Sequence, residues 1–348
     1  MSSLPIPTAS REDWRRGRSE AIKKLIHEYA PCANEDLLCQ MLVTVCRLAA
    51  DDADRGELKI LNTALRELRY AFKVFGAYAE FPKVSMFGSA RTPEEHPQYQ
   101  EAKKFAELMQ QLGWMVITGA GDGIMRAGHH GATQQASFGV AIALPFEQQT
   151  NPYIADDPKL VHFKYFFTRK LVFVKEAKAI VLFPGGFGTQ DEGFEALTLV
   201  QTLKTTPIPI VMCDEPGGSY WQHWLTYLKK ELLGHRMIDA SDLNLFFIAD
   251  RAEEAVAEIV RFYKRYHSMR FVDDVCVIRL NTPLDAETLS EINVEFADIL
   301  RGGRFEQSAG PIMGEEDAFP DKARLSCLFS RRSAGRLRQL INKINDAA

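Results

Sequence analysis

The sequence predicts an α/β protein built on a doubly wound parallel sheet, with a helical N-terminal extension and a small C-terminal α+β unit. Three observations carry this. Short apolar, β-branched runs alternate with helix-period stretches from Lys83 to about Tyr263, and such alternation implies parallel strands with helices on both faces. Three of the runs end in a glycine-rich turn. The glycines at 88, 119, 121, 123, 185, 186 and 188 therefore fall at the carboxyl ends of strands, the edge where open α/β sheets bind their ligands.

Residues 1–80 form the extension. Residues 1–15, with Pro5 and Pro7, carry no period, whereas residues 17–78 read as helices. Leu37, Leu38, Met41, Leu42 and Val45 make one apolar face; Leu58, Leu61, Leu65, Leu68 and Phe72 make another. Cys32, Cys39 and Cys46 are spaced to share a helix face and are expected to pack in a core, since no His joins them at ligand spacing.

Residues 81–268 form the sheet domain. Strands are expected at Val84–Phe87, Trp114–Ile117, Gly139–Leu144, Ala179–Phe183, Ile208–Cys213 and Leu245–Ile248. Helices are expected at Pro97–Leu112, Ile124–Gln135, Phe166–Lys178, Gly193–Gln201 and Tyr220–Leu233. In residues 269–348, strands Val275–Leu280 and Arg324–Phe329 and helices Leu284–Leu300 and Gly335–Ile344 suggest half of a ferredoxin-like module, with Gly302–Asp321 as a loop.

Composition excludes several classes. Hydrophobic content of 46% and charged content of 25% are those of an ordinary globular chain. A net charge of −4 argues against a nucleic-acid partner held by bulk positive charge. No run approaches the roughly eighteen apolar residues of a transmembrane helix, so no membrane partner is expected. Met1 to Ser10 lacks a signal-peptide pattern, and the six cysteines include no C-x-x-C pair, which fits a reduced, cytoplasmic protein. His129-His130 point in different directions on a helix and lack partner acids, so packing or exposure is expected of them, not metal ligation.

The most informative stretch is Pro184 to Glu192, Pro-Gly-Gly-Phe-Gly-Thr-Gln-Asp-Glu. It joins a buried parallel strand to a helix. Its glycines permit positive φ values and close approach of a ligand. The helix start offers free N–H groups and a positive dipole end to an anion. Thr189 and Glu192 also have the T-x-x-E spacing of a capping box, which accounts for those two residues and not for the glycines. Gly119-x-Gly121-x-Gly123 is not a dinucleotide fingerprint, and no P-loop motif is present.

Pro-Gly-Gly-x-Gly-Thr-x-x-Glu resembles the signature of the Lonely Guy family, cytokinin-activating phosphoribohydrolases whose bacterial members were long mislabelled lysine decarboxylases. Arg169-Lys170 and the run Thr118 to Met125 are similar to that family in the same order, over roughly residues 80–265. Nothing prepares a lysine here for Schiff-base chemistry. The resemblance implies a Rossmann-like domain that cleaves the N-glycosidic bond of a nucleoside 5′-monophosphate, AMP or a cytokinin ribotide, to free base and ribose 5-phosphate, with no metal and no cofactor. Such cleavage builds positive charge on the ribose, and a carboxylate beneath the sugar stabilises it or orients the attacking water.

The resemblance gives that carboxylate as Glu192 and the catalytic arginine as Arg169. With dinucleotide and P-loop motifs excluded, the residues themselves suggest a mononucleotide whose 5′-phosphate lies on Gly185, Gly186, Gly188 and Thr189, with Gly88 and Ser89 closing the other side through a backbone N–H and a hydroxyl, and Gly121 at the same edge. Asp191 would meet the ribose hydroxyls, Glu147 the base or ribose, and Lys170 the nucleotide; Thr198 is a further candidate on the motif helix. Family members pair through helices beside the site, so at least a homodimer is expected, with Phe167, Leu171 and Val174 as a candidate surface. Removing residues 271–348 is expected to leave a sheet domain that still cleaves. Two other classes stay open. The molybdenum-cofactor carrier proteins have a similar fold and similar glycine turns without catalysis, and a nucleotide-sensing module would use the C-terminal unit as its regulator.

Overall fold

The computed structural model describes residues 20–143, 150–315 and 319–347, and their contacts divide the chain into two units at Arg66/Glu67. In the first unit, residues 20–29 form helix α1, followed by α2 (Glu35–Ala50) and the start of α3 (Arg55–Gly76). Asp54 starts α3: its side chain accepts from Glu57 N while the Glu57 carboxylate accepts from Asp54 N, a reciprocal capping box. The cysteine expectation fails. Cys32 is exposed and precedes α2, and α2 buries no residue, because Leu37, Met41 and Val45 on its apolar face remain exposed.

In the second unit seven parallel strands form one sheet: β1 (Lys83–Phe87), β2 (Met115–Thr118), β3 (Ser137–Ile142), β4 (Leu160–Phe163), β5 (Ala179–Leu182), β6 (Ile210–Cys213) and β7 (Phe247–Ala249). Their order is β4-β3-β2-β1-β5-β6-β7, so the chain reverses its direction of travel between β1 and β5. The apolar runs explain the double cover. Side chains alternate along a strand, so Ile180 and Leu182 enter one core cluster while Ala179, Val181 and Phe183 enter the other. The first cluster is closed by α3, α6 (Phe166–Glu176), α7 (Phe187–Gln201) and α8 (Tyr220–Tyr227). The second is closed by α4 (Pro97–Gln111), α5 (Ile124–Ala132) and α9 (Ala252–Phe262). The doubly wound expectation is borne out.

Two elements of this sheet layer escaped the sequence reading. Strand β4 is a four-residue edge strand whose His162 faces out, too short and mixed to stand out. Helix α9 carries a clear stripe, Ala252, Ala255, Val256, Ile259 and Phe262, all buried, so its signal was present in the sequence. The expected strand end at Leu144 lies outside the described residues.

The C-terminal part is a four-stranded antiparallel sheet rather than two strands. Strands β8 (Tyr266–Val272), β9 (Val275–Leu280), β10 (Leu300–Ser308) and β11 (Ala323–Phe329) lie in the order β10-β11-β9-β8, with helices α10 (Ala286–Glu295) and α11 (Ala334–Asp346) over one core. Gly302 and Gly303 near the start of β10 give it the composition of a loop. Both have positive φ and sit where the register with β11 shifts, the signature of a bulge. Helix α11 is tied to the parallel-sheet part: Arg338 forms a buried ion pair with Glu258 of α9, and a side chain at Gly335 would collide with Ser241 O. Cutting at 271 would remove Arg338 and the cover that α11 gives this face of α9, leaving Glu258 with Arg261 alone (3.1 Å), so a loss of stability is expected of the truncated domain.

Candidate active site

The reversal between β1 and β5 brings their two following turns side by side. Ser89 N donates to Pro184 O (3.1 Å), and Ile124 N donates to Ser89 O (3.0 Å), so the turns after β1, β2 and β5 form one framework. Gly88 and Gly185 are glycines for space. A Cβ at Gly88 would lie 2.5 Å from Ile124, and one at Gly185 would lie 2.1 Å from Thr189 Oγ1. Gly123 has φ +60 and packs on Ser89 O. By contrast, a Cβ at Gly186 or Gly188 would meet nothing within 4 Å. Open space therefore lies over the first turn of α7.

Two expectations about this turn are corrected. The motif glycines do not adopt positive φ; Gly186 has φ −86 and caps α7. Thr189 does not open a capping box, because the helix already begins at Phe187 and no side chain caps it. The first N–H groups of α7 are thus left without a side-chain acceptor. Ser89 also differs from expectation. Its N–H is spent on Pro184, while its hydroxyl accepts from Arg91 N (3.1 Å) and keeps its own proton to donate.

Glu192 lies in the second turn of α7 and is buried, its side chain 9% exposed. Burial is the main influence on its carboxyl and pushes it up to about 7; Lys170 and Arg169 oppose that rise, and Glu195 and Asp191 add to it. Arg169 comes from α6. Its Nε donates to Val140 O of β3 (2.9 Å), its guanidinium lies 5.1 Å from the Phe173 ring, and Nη2 occupies the space a Cβ at Gly119 would need. Burial works against its charge and Glu192 supports it. Lys170, expected on the nucleotide, is turned to the acids of α7: Nζ is 2.6 Å from Glu195, 2.8 Å from Asp191 and 3.8 Å from Glu192.

The remaining candidates separate. Gly121 is buried, its carbonyl accepting from Asn151 Nδ2 (3.0 Å). Asp191 is exposed beside Lys170. Thr198 is not brought to the cluster; it is exposed, and its hydroxyl donates to Phe194 O on its own helix (2.7 Å). Glu147 lies outside the described residues. Among the described residues no three His, Cys, Asp or Glu side chains gather as a metal site requires.

Three supporting residues were not anticipated. His129 is fully buried, as packing predicts, and burial lowers its pKa to about 4, so it is neutral. Its Nε2 lies 3.0 Å from both Thr118 Oγ1 and Phe138 O, and its Nδ1 3.1 Å from Asn151 Nδ2. Asn151 N also donates to Ala120 O (2.9 Å). His129 and Asn151 thus hold the turn after β2. Tyr220 does the same for the motif: its hydroxyl donates to Gly185 O (2.5 Å) and accepts from Gln190 Nε2 (2.7 Å).

Comparison with known proteins agrees with the motifs. The family model described as "Possible lysine decarboxylase" matches residues 120–259. No curated protein matches the chain. Among solved structures, the molybdenum cofactor binding protein from Rippkaea orientalis is 15% identical, with a TM-score of 0.36 over 51% of this chain and 94% of its own. A structural-genomics target, TM1055, is 21% identical with a TM-score of 0.38, over 51% of this chain and 97% of its own. The Moco carrier protein from Chlamydomonas reinhardtii is 18% identical with a TM-score of 0.34, over 51% and 94%. Likeness at this level carries no functional argument.

Proposed function

We propose, on the premise that residues 120–259 carry the Lonely Guy domain, that the protein hydrolyses the N-glycosidic bond of a nucleoside 5′-monophosphate. AMP and cytokinin ribotides are the candidate substrates, and free base and ribose 5-phosphate the products. The observation that carries the reading is the Glu192 carboxyl, buried 3.8 Å from Lys170 and within electrostatic reach of Arg169, and raised to about 7. A general base works best when its pKa lies near the working pH. Glu192 is therefore suited to take a proton from the attacking water and to face the positive charge that grows on the ribose.

The other groups take supporting parts. The start of α7, open at Gly186 and Gly188, receives the 5′-phosphate on its N–H groups together with Thr189. The Ser89 hydroxyl donates from the opposite turn. Arg169 is fixed by Val140 O through Nε, which leaves its outer nitrogens to hold the nucleotide by forked hydrogen bonds. Asp191 meets the ribose hydroxyls. A non-catalytic carrier needs an anion cradle but has no use for a buried carboxylate and arginine placed together, which favours the enzyme. Phe166, Phe167 and Leu171 of α6 are exposed, and this apolar strip supports a homodimer.

The test is to incubate the purified protein with a panel of nucleoside 5′-monophosphates and follow release of free base. Hydrolysis of at least one of them is expected. Tight binding across the panel with no base released would instead assign a carrier.

A further inference from the structure

Glu195 has no place in the catalytic scheme so far, yet it holds the shortest contact of the cluster. The charged groups facing Glu192 are Arg169 and Lys170 from α6 and Asp191 and Glu195 from its own helix. Lys170 is largely buried, 14% exposed, and its one ammonium must be shared among three carboxylates. It is drawn to Glu195 at 2.6 Å and Asp191 at 2.8 Å and stops 3.8 Å short of Glu192. A hydrogen bond between charged groups closes at about 2.7–2.9 Å, so Lys170 bonds the two outer acids and only faces the inner one. Asp191 is 60% exposed and solvated, whereas Glu195 is 32% exposed, so Glu195 is the firmer anchor.

We propose that Glu195 is a positioning residue: by holding Lys170 on itself it keeps the ammonium from closing on Glu192, and so preserves the basicity of the catalytic carboxylate. The idea rests on the reading of Glu192 as the base, and it assigns a role to an acid outside the Pro-Gly-Gly-x-Gly-Thr-x-x-Glu motif. Its chemical logic is direct. An opposite charge in contact favours the ionised carboxylate and lowers its pKa by about 1–3 units, and a weaker base takes a proton from water less readily. Lys170 itself stays charged. Burial acts against it, but its hydrogen bonds to Asp191 and Glu195 outweigh burial and raise its pKa above the ordinary lysine value.

The experiment is a double-mutant cycle read by carboxyl ¹³C NMR of glutamate-labelled, ligand-free protein, with the Glu192 signal assigned by its loss in Glu192→Gln. In Glu195→Gln, Lys170 closes on Glu192 and the titration midpoint falls by about one unit or more. In Lys170→Met the midpoint rises, and adding Glu195→Gln to it lowers the midpoint by clearly less than in the Lys170 background, the remainder being the direct repulsion between Glu195 and Glu192. A fall of equal size in both backgrounds would mean that Glu195 acts by its own charge alone, and no fall in either would mean that it does not act on Glu192; either result overturns the proposal. Parallel rates on AMP give the functional side: Glu195→Gln moves the acid limb of the pH profile down and lowers the plateau above pH 8 severalfold. Because the titration needs no substrate, an intact cycle in a protein that hydrolyses no monophosphate would reject the enzymatic reading and leave the Lys170 coupling standing.

Discussion

Glu192, at the edge of the parallel sheet, and Glu315, beside the C-terminal sheet, are both glutamates removed from water with two cations near them, and they differ in whether those cations reach them. Glu315 is fully covered and is bonded by Arg279 (2.6 Å) and Arg324 (3.0 Å). Burial pushes its carboxyl up, but the hydrogen bonds from Arg324 and Arg279 win and hold it below the ordinary glutamate value. At Glu192 the order is reversed. Arg169 is fastened to Val140 O and Lys170 to Glu195, so burial wins and the carboxyl rises to about 7. The difference separates a carboxylate that joins the fold from one held ready for chemistry: what matters is not the presence of cations but where their hydrogen bonds are spent.

The comparison yields its largest effect in the substrate. If the start of α7 binds the 5′-phosphate, AMP will exceed adenosine by about a thousandfold in kcat/KM, since losing two or three hydrogen bonds to a charged group costs on the order of 4 kcal/mol. ATP will also be poor, because the chain has no P-loop for two further phosphates. Side-by-side rates without added metal check this; equal rates for adenosine and AMP would take the phosphate away from the motif.

Next in size is Arg169→Ala. A loss of about a hundredfold in rate is expected for a group that holds the reacting nucleotide, with only a modest fall in melting temperature from the lost Val140 and Phe173 contacts. A collapsed melting temperature would make Arg169 structural instead.

The complementary change is Glu315→Gln. It leaves Arg279 and Arg324 buried against a neutral partner and is expected to destabilise the fold by about 3–5 kcal/mol, seen in urea unfolding, while the rate per folded molecule stays unchanged. Its pH sign follows from the lowered pKa. The stabilisation is complete above the ordinary glutamate pKa and is lost as pH falls through the lower folded value. Unchanged stability would remove the contrast drawn between the two glutamates.

The smallest effect is graded. The working form of Glu192 is ionised, and its carboxyl is raised to about 7. The rate will therefore fall about tenfold per pH unit below 7 and level off above it. A profile flat from pH 5 to 8 would mean that Glu192 does not set the rate.

Much of this was legible in the chain because it is local. The Pro184–Glu192 turn, the strand before it and the helix after it are consecutive, so residue types alone disclosed the strand-turn-helix, and the family resemblance pointed to Glu192 within it. What could not be read depends on partners far apart in sequence. His129 and Asn151 hold the turn after β2 across 22 residues, and Tyr220 reaches Gly185 across 35. Lys170 was assigned to the nucleotide because its helix neighbour Arg169 matched the family; its pairing with Glu195, 25 residues on, requires knowing that α6 and α7 pack on the same face of the sheet. Strand β10 was hidden by its own glycines, whose bulge looks like a loop in one dimension. The glycine turn was recognised for a partly wrong reason: Gly185 is needed for space and Gly186 and Gly188 leave an opening, and none of the three takes the positive φ expected of it.

The central claim, that the buried Glu192 carboxyl performs the bond cleavage, is tested most directly in Glu192→Gln, which keeps shape and burial and removes only the base. Binding of AMP by calorimetry and release of adenine would be measured on the same sample. The account predicts AMP affinity within a few-fold of the parent protein and a rate lower by about a hundredfold or more; near-normal release of adenine by this variant would contradict it.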